Sequence, residues 1–410
     1  MVKSKLGFHV DILTYPGQPE QMIAAGTRVI KVIESMGLLQ HLHGALGDQT
    51  TFIARAWAVG DDFLRFGGNH DPKAAAARWF NGMLPVIRQA PFAYWESFNE
   101  MSSWDHLTAY GEFEAERQRI MADHGYKCCI GNFAVGTPEI ADPGDVWPRF
   151  YPALSAAHRY KNILGLHEYG GLWMDLWYGP NTGLTKGNKR QPFPAEYAEG
   201  WLFGRYRKVW RKHIQPNGWG DIRIALTEFG LDMAGTSETS VLTGQTVGAW
   251  KSCIAAWERL DGRRDPEQYY FEQLRWADSQ MQRDPYLIGA TIFTWGTFPD
   301  SLWINHDIHG GVAERLIAYI KSTTDDTKPP VEPPVVEYPD VTYLRSTAEP
   351  SLRLRSGKGS VYPVVGVIMP DDILVTTLPP EQIRPTSWIP VVTEDGKAGY
   401  ASGTYLEVIA

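Results

Sequence analysis

The sequence predicts an α/β fold, a (β/α)8 TIM barrel, followed by a small all-β module. Three observations carry this. Eight short segments rich in β-branched and aromatic residues recur along the first three quarters of the 410-residue chain. Stretches with helical spacing separate them, the pattern of a parallel sheet. A Pro-rich break then ends the helical periodicity, and the last seventy or so residues read as short strands punctuated by Gly and Pro. The length exceeds one ordinary domain but suits a barrel of about 250 residues or more plus a module.

The expected strands are Leu6–Leu13, Arg28–Glu34, Thr51–Val59, Phe92–Asn99, Lys127–Val135, Ile163–Tyr169, Ile222–Phe229 and Ile288–Trp295. Pro72–Gln89 and Gln245–Leu260 carry the clearest helical spacing between them. Eight such units favour closure over an open sheet, and no G-x-G-x-x-G follows the first strand, which argues against dinucleotide binding. A long insertion, Leu172 to Gly220, carries Trp173, Trp177, Tyr178, Trp201 and Trp210. Barrel active sites sit at the C-terminal ends of the strands, so the front of this insertion is expected over the site. The expected domains are residues 1–321 (barrel), 322–339 (the linker STTDDTKPPVEPPVVEYP) and 340–410 (the module).

Hydrophobic residues make up 43% and charged residues 21%, as in a soluble protein with a sizeable core. Sixteen Trp is a high count; core packing must account for most of them, but indole faces also stack on the apolar faces of sugar rings. The formal charge of −8, with no basic stripe, speaks against nucleic acid. Cys128, Cys129 and Cys253 are expected as small buried residues, since two are adjacent and the total is odd. No cofactor or metal is expected: His306-x-x-His309, around Asp307, lies in a Gly-rich loop without a further clustered ligand. No apolar h-region or membrane span is visible, and a monomer is expected, acting outside the cell or at the cell wall and released by lysis if no signal is used.

The chemistry concentrates at two strand ends. Strand four ends Trp95-Glu96-Ser97-Phe98-Asn99-Glu100, and strand seven carries Ala225-Leu226-Thr227-Glu228-Phe229-Gly230. These strands lie across a barrel from each other. Two carboxyls on opposite walls can face one another at about 5 to 5.5 Å, the separation that suits a covalent glycosyl-enzyme intermediate. Asn99-Glu100 and Glu228, 128 residues apart, resemble the signature of clan A glycoside hydrolases, which include family 5 cellulases and mannanases. His167-Glu168-Tyr169 resembles that family's His-x-Tyr, and Trp295 its strand-eight indole. The resemblance implies Glu100 as acid/base and Glu228 as nucleophile. It also implies Asn99 on the sugar 2-OH, Tyr169 holding Glu228 and Trp295 stacked on the sugar. His167, Arg55, Trp173 and Trp177 complete the expected substrate-binding set. The clan's early-strand Arg has only Arg55 as a stand-in.

Other charged residues receive plainer readings. Lys31, Arg55 and Glu96, on neighbouring strands, are expected as an ion cluster beneath the site, with Arg55 able to reach Glu228. Glu168 alternates with His167 and Tyr169 and should face the helices or a loop. Asp11 and His9 share a parity, and one or both are expected to reach the barrel mouth, where they could bind sugar hydroxyls. Asp232 and His306 lie in βα loops and could line subsites, although solvated loop residues are the plainer reading, and Trp104 is a candidate platform.

In the module, Leu352-Arg353-Leu354-Arg355-Ser356-Gly357-Lys358-Gly359 resembles the L-x-V-R-S-G-P-G stretch of bacterial SH3 domains. Val361–Gly366, Trp388–Val391 and Gly396–Leu406 continue the likeness. It implies a small SH3-like barrel that binds wall peptides or glycans, with Tyr343, Tyr362, Trp388 and Tyr400 as exposed aromatics. The expectation is therefore a retaining hydrolase of β-linked oligo- or polysaccharides with a wall- or substrate-attachment module. Alternatives are a phage-type or autolytic lysin of bacterial wall glycan, and a non-catalytic glycan binder on a glycosidase-like barrel.

Overall fold

A computed structural model describes residues 3–56, 71–101, 106–141, 143–175, 200, 202–232, 248–299, 301–324, 342–370, 372–376, 378–393 and 398–409. Eight parallel strands close into a barrel in sequence order. They are β1 (Leu6–Val10), β2 (Val29–Ile33), β3 (Thr51–Arg55), β4 (Tyr94–Trp95), β5 (Lys127–Phe133), β6 (Ile163–Gly170), β7 (Arg223–Leu231) and β8 (Leu287–Ile292). Each falls within or close to an expected segment. β4 is the shortest, although the Glu96 N–H still reaches the Ala54 carbonyl at 2.9 Å.

Local sequence explains the outer helices. Pro72–Ile87 starts on Asp71, whose carboxylate accepts the Lys73 N–H at 2.9 Å, with Pro72 as its first residue. Ala75, Ala76, Trp79, Phe80, Met83 and Ile87 form its buried stripe. The helix expected over Gln245–Leu260 is shorter: a turn at Trp250–Cys253 leads into Ile254–Asp261, and residues 245–247 lie outside the described residues. Residues 322–324, expected in the linker, complete the helix Gly311–Thr324, where Thr323 Oγ1 accepts the Ser4 N–H at 3.0 Å; the rest of the expected linker, 325–339, lies outside the described residues.

Inside the barrel the floor is apolar: Val29, Ile53, Cys129, Ile163, Ala225 and Ile288 pack together. Above it the inward positions turn polar, with Lys31 on β2, Arg55 on β3, Glu96 after β4 and Glu228 on β7. Strict alternation from Ala225 would aim Thr227 inward and Glu228 outward. The register between β6 and β7 breaks there, pairing Leu166 with Leu226 but His167 with Glu228. This irregularity lets both side chains face the lumen: Thr227 Oγ1 reaches Asn132 Oδ1 at 3.2 Å and Glu228 enters the polar layer, while Phe229 packs outward on Phe203.

The second sheet contains β9 (Thr342–Ser346), β10 (Leu352–Arg355), β11 (Val364–Ile368), β12 (Ile373–Thr376), β13 (Trp388–Thr393), β14 (Ala398–Ser402) and β15 (Leu406–Ile409). Its antiparallel order is β11-β10-β14-β13-β12-β9-β15, over a small core that includes Leu344, Leu354, Leu374 and Ile389. All three cysteines are buried and unbridged. No helix among the described residues is long and apolar enough to cross a membrane.

β1 and β2 approach too closely at Gly7 for any side chain: a Cβ there would lie 1.9 Å from the Val29 carbonyl oxygen. Gly7→Ala is expected to cost at least about 1 to 3 kcal/mol or to prevent soluble expression. Gly44→Ala, in the helix Met36–Leu46 with nothing within 4 Å, is expected to stabilise by up to about 1 kcal/mol. Urea denaturation of both variants checks the pair.

Candidate active site

The C-terminal ends of the strands open into a cavity lined by Asp11, Ile33, Arg55, Asn99, Glu100, Tyr169, Glu228, Asp232, Phe293, Trp303 and His306. Glu228 is 6% exposed and is the hub of its polar wall. Its Oε1 lies 3.1 Å from Lys31 Nζ and 3.3 Å from Arg55 Nη1, and its Oε2 accepts the Tyr169 hydroxyl at 2.9 Å. His167 Nδ1 is 3.4 Å from the same Oε2. Burial opposes ionisation of Glu228, but the field of His167, Lys31 and Arg55 overrides it and holds the carboxyl well below the usual range.

Glu100 occupies a different environment. It follows β4 in a left-handed conformation, φ 53°, with its N–H donated to the Asn132 carbonyl at 3.0 Å. Asn132 is itself left-handed, φ 49°, so two strained residues brace each other beside the cavity. The Glu100 side chain is 39% exposed, and its Oε1 contacts His167 Nδ1 at 2.9 Å. One oxygen of Glu100, one of Glu228 and a His167 ring nitrogen all lie within 4.8 Å of one another. Among the described residues this is the one group of three donors close enough for a metal ion. Lys31 and Arg55, already against Glu228, would repel a cation there.

The ion cluster expected beneath the site is present. Lys31 Nζ bridges Glu228 and Glu96, the latter at 3.0 Å, and Arg55 Nη1 lies 3.8 Å from Glu96. Arg55 also donates to Asn99 Oδ1, so it ties the floor to the cavity wall. His9 does not reach the mouth. It is fully buried, 3.8 Å from Glu228, and burial, reinforced by Lys31, keeps its ring neutral. Asp11 does line the cavity, held by the Thr297 hydroxyl at 3.1 Å, and burial raises its carboxyl. Glu168 points away as expected, accepting the backbone N–H groups of Gly204 and Tyr206, and burial pushes its carboxyl up to about 8.

Four expectations need correction. Trp295 does not reach the cavity: it is 1% exposed and packs on Phe8 at 4.8 Å, on the helix side of the wall. Phe293, two residues earlier, takes the lining position. Trp173 is likewise buried in the main core, and among the described residues the exposed indole at the cavity is Trp303. His167 is 2% exposed and bridges the two carboxyls rather than lining the cavity. His306, read as solvated, is 2% exposed within the cavity wall. Phe293 and Trp303 were missed, and the only signal for them was an aromatic-rich run after the last strand. Asp307 and His309 are structural. Asp307 receives the Tyr15 hydroxyl and the N–H groups of Gly296 and His309, while the His309 ring stacks on Tyr15. Trp177 and Trp104 lie outside the described residues.

No protein-family model matches the chain, and no curated protein matches it. Solved structures do. An endo-β-1,3-glucanase of family GH128 from Pseudomonas viridiflava is 13% identical, covering 77% of this chain and 97% of its own, with TM-score 0.39. A family 5 xyloglucanase from Paenibacillus pabuli is 11% identical over 79% and 99%, with TM-score 0.44. An endo-β-1,4-glucanase from Xanthomonas axonopodis pv. citri is 11% identical over 78% and 99%, with TM-score 0.41.

Removing Lys31 would leave the two buried carboxyls of Glu96 and Glu228 to share Arg55. Lys31→Met is expected to cost about 3 to 5 kcal/mol at about pH 7. Because the native Glu228 carboxyl lies below its ordinary 4.5, its contribution is full above that pH and fades as pH falls through the native value. The penalty of Lys31→Met should therefore shrink at about pH 4, where protonation of Glu228 relieves the excess negative charge left with Arg55 alone. Equal losses in urea denaturation at both pH values would mean that Lys31 acts by packing alone.

Proposed function

We propose that this chain is a retaining glycoside hydrolase that cleaves β-linked glycans by double displacement, with Glu228 as nucleophile and Glu100 as general acid/base. The observation that carries this reading is the pair of unlike carboxyls across one cavity, with oxygens within 4.8 Å. Carboxyl groups about 5 to 5.5 Å apart suit a covalent intermediate, whereas inversion needs about 6.5 to 9.5 Å to admit a water.

The two environments divide the labour. Glu228, buried among Lys31, Arg55 and the Tyr169 hydroxyl, is ionised and oriented, as a nucleophile must be. Its Oε attacks the anomeric carbon while the Glu100 carboxyl gives its proton to the leaving glycosidic oxygen. A sugar ester on Glu228 results. Water then enters, Glu100 takes its proton, and the ester opens to release the sugar and restore both carboxyls. His167, between the two, shares its Nδ1 with whichever oxygen is anionic. Asn99, at the cavity wall and fixed by Arg55, is placed to hold a sugar hydroxyl beside the reacting carbon.

The all-β sheet supports the attachment part of the reading through its surface. Val361, Tyr362, Val364, Val365, Val367 and Met369, on and around β11, are all exposed. We assign this module, as an SH3-like domain, to holding the protein on insoluble glycan or bacterial wall. That role would suit a wall lysin as well as a polysaccharide hydrolase.

Glu228→Gln is expected to lower turnover by at least about a thousand-fold while retaining glycan affinity. Glu100→Gln should spare aryl glycosides with good leaving groups, and azide should partly restore it. Assays of both variants on β-glucan, mannan, xylan and peptidoglycan test the assignment, and full activity in both would end it. Removal of residues 342–410 is expected to leave hydrolysis of soluble oligosaccharides intact and to weaken sedimentation with insoluble glycan or cells.

A further inference from the structure

His306 is a polar group in the cavity wall that the proposed mechanism leaves unused. It follows the turn Leu302–Asn305 after β8, and its N–H donates to the Trp303 carbonyl at 2.8 Å. Its ring meets Phe293 edge-on at 5.2 Å, Trp303 at 5.8 Å and Tyr169 at 6.2 Å. The next residue, Asp307, is fixed by its contacts to Tyr15, Gly296 and His309. The imidazole is therefore held rigidly, yet its Nε2 is buried and has no hydrogen-bond partner among the described residues. An unsatisfied buried nitrogen costs about 1 to 3 kcal/mol. A position that retains one in the wall of a cavity points to a ligand that completes it.

We infer that His306 is a specificity residue that hydrogen-bonds a ring hydroxyl of an uncharged sugar seated over Glu228. Burial lowers the ring to about 4, so near neutral pH the neutral imidazole presents at Nε2 either an N–H or a lone pair according to its tautomer, and a hydroxyl, donor and acceptor at once, can meet either. Four carboxyl side chains, Asp11, Glu100, Glu228 and Asp232, line this cavity against the guanidinium of Arg55, so the cavity does not favour a sugar that brings a carboxylate of its own. The inference rests on the glycosidase reading and adds the substrate class at its central subsite.

The test is a deoxy scan. Wild type, His306→Phe and His306→Asn are assayed on aryl β-glycosides of neutral mono- and disaccharides, on their monodeoxy analogues and on the matching glucuronide. His306→Phe keeps the aromatic packing without the nitrogens, and His306→Asn returns a hydrogen-bonding group. Wild type should discriminate against loss of one particular hydroxyl by about ten- to a hundred-fold in kcat/KM. His306→Phe should lose that discrimination alone, with the other deoxy positions and the pH profile unchanged, and His306→Asn should recover part of it. A uniform fall across all analogues, or discrimination that survives in His306→Phe, overturns the inference while leaving the hydrolase reading intact. So does faster cleavage of the glucuronide than of its neutral counterpart. If wild type cleaves none of the glycosides, the hydrolase reading and this inference fall together.

Discussion

The arrangement at the barrel's C-terminal end depends on one electrostatic constraint: a carboxylate kept ionised inside a closed sheet. An isolated anion in that position would take up a proton. Lys31 and Arg55, from adjacent strands, prevent it by contacting the same Glu228 oxygen, and Glu96 balances the excess positive charge from below. The cluster lies on an apolar floor and under a polar cavity, so its field is directed toward the mouth. Glu100 is outside the cation pair and partly solvated, and this asymmetry makes the two glutamates chemically different.

Backbone irregularity delivers these side chains. Regular alternation would have turned Glu228 toward the helices, and the register break beside Thr227 brings it inside. On the opposite wall, the left-handed residues Glu100 and Asn132 are joined by a backbone hydrogen bond, which fixes where the chain leaves β4. Departures from ideal strand geometry thus fall at the positions where the cavity needs a particular side chain.

Much of this was legible in the sequence. Strand periodicity located all eight staves, and inward charges on neighbouring strands implied an ion cluster. Parity also sent Glu168 outward correctly. Parity alone would have misplaced Glu228, which was found through its motif, because a bulge leaves no simple mark in composition. Trp295 and Trp173 were misread for another reason. An indole suits a sugar platform and a core equally well, and which it becomes depends on neighbours distant in sequence, such as Phe8 for Trp295. His306 was misread in the opposite direction: loop residues are usually solvated, but Tyr169, Phe293 and Trp303 converge on this one from separate stretches.

Glu168 has a mechanical consequence. It lies between His167 and Tyr169, and its carboxyl clasps the backbone of Gly204 and Tyr206 on the far side of the strand. The root of the long excursion between β6 and β7 is thereby riveted to the stave that carries His167 and Tyr169, two neighbours of Glu228. Any displacement of that root must pull on β6 or break the clasp, so the excursion's anchorage and the mutual alignment of Glu100 and Glu228 are one mechanical unit rather than two.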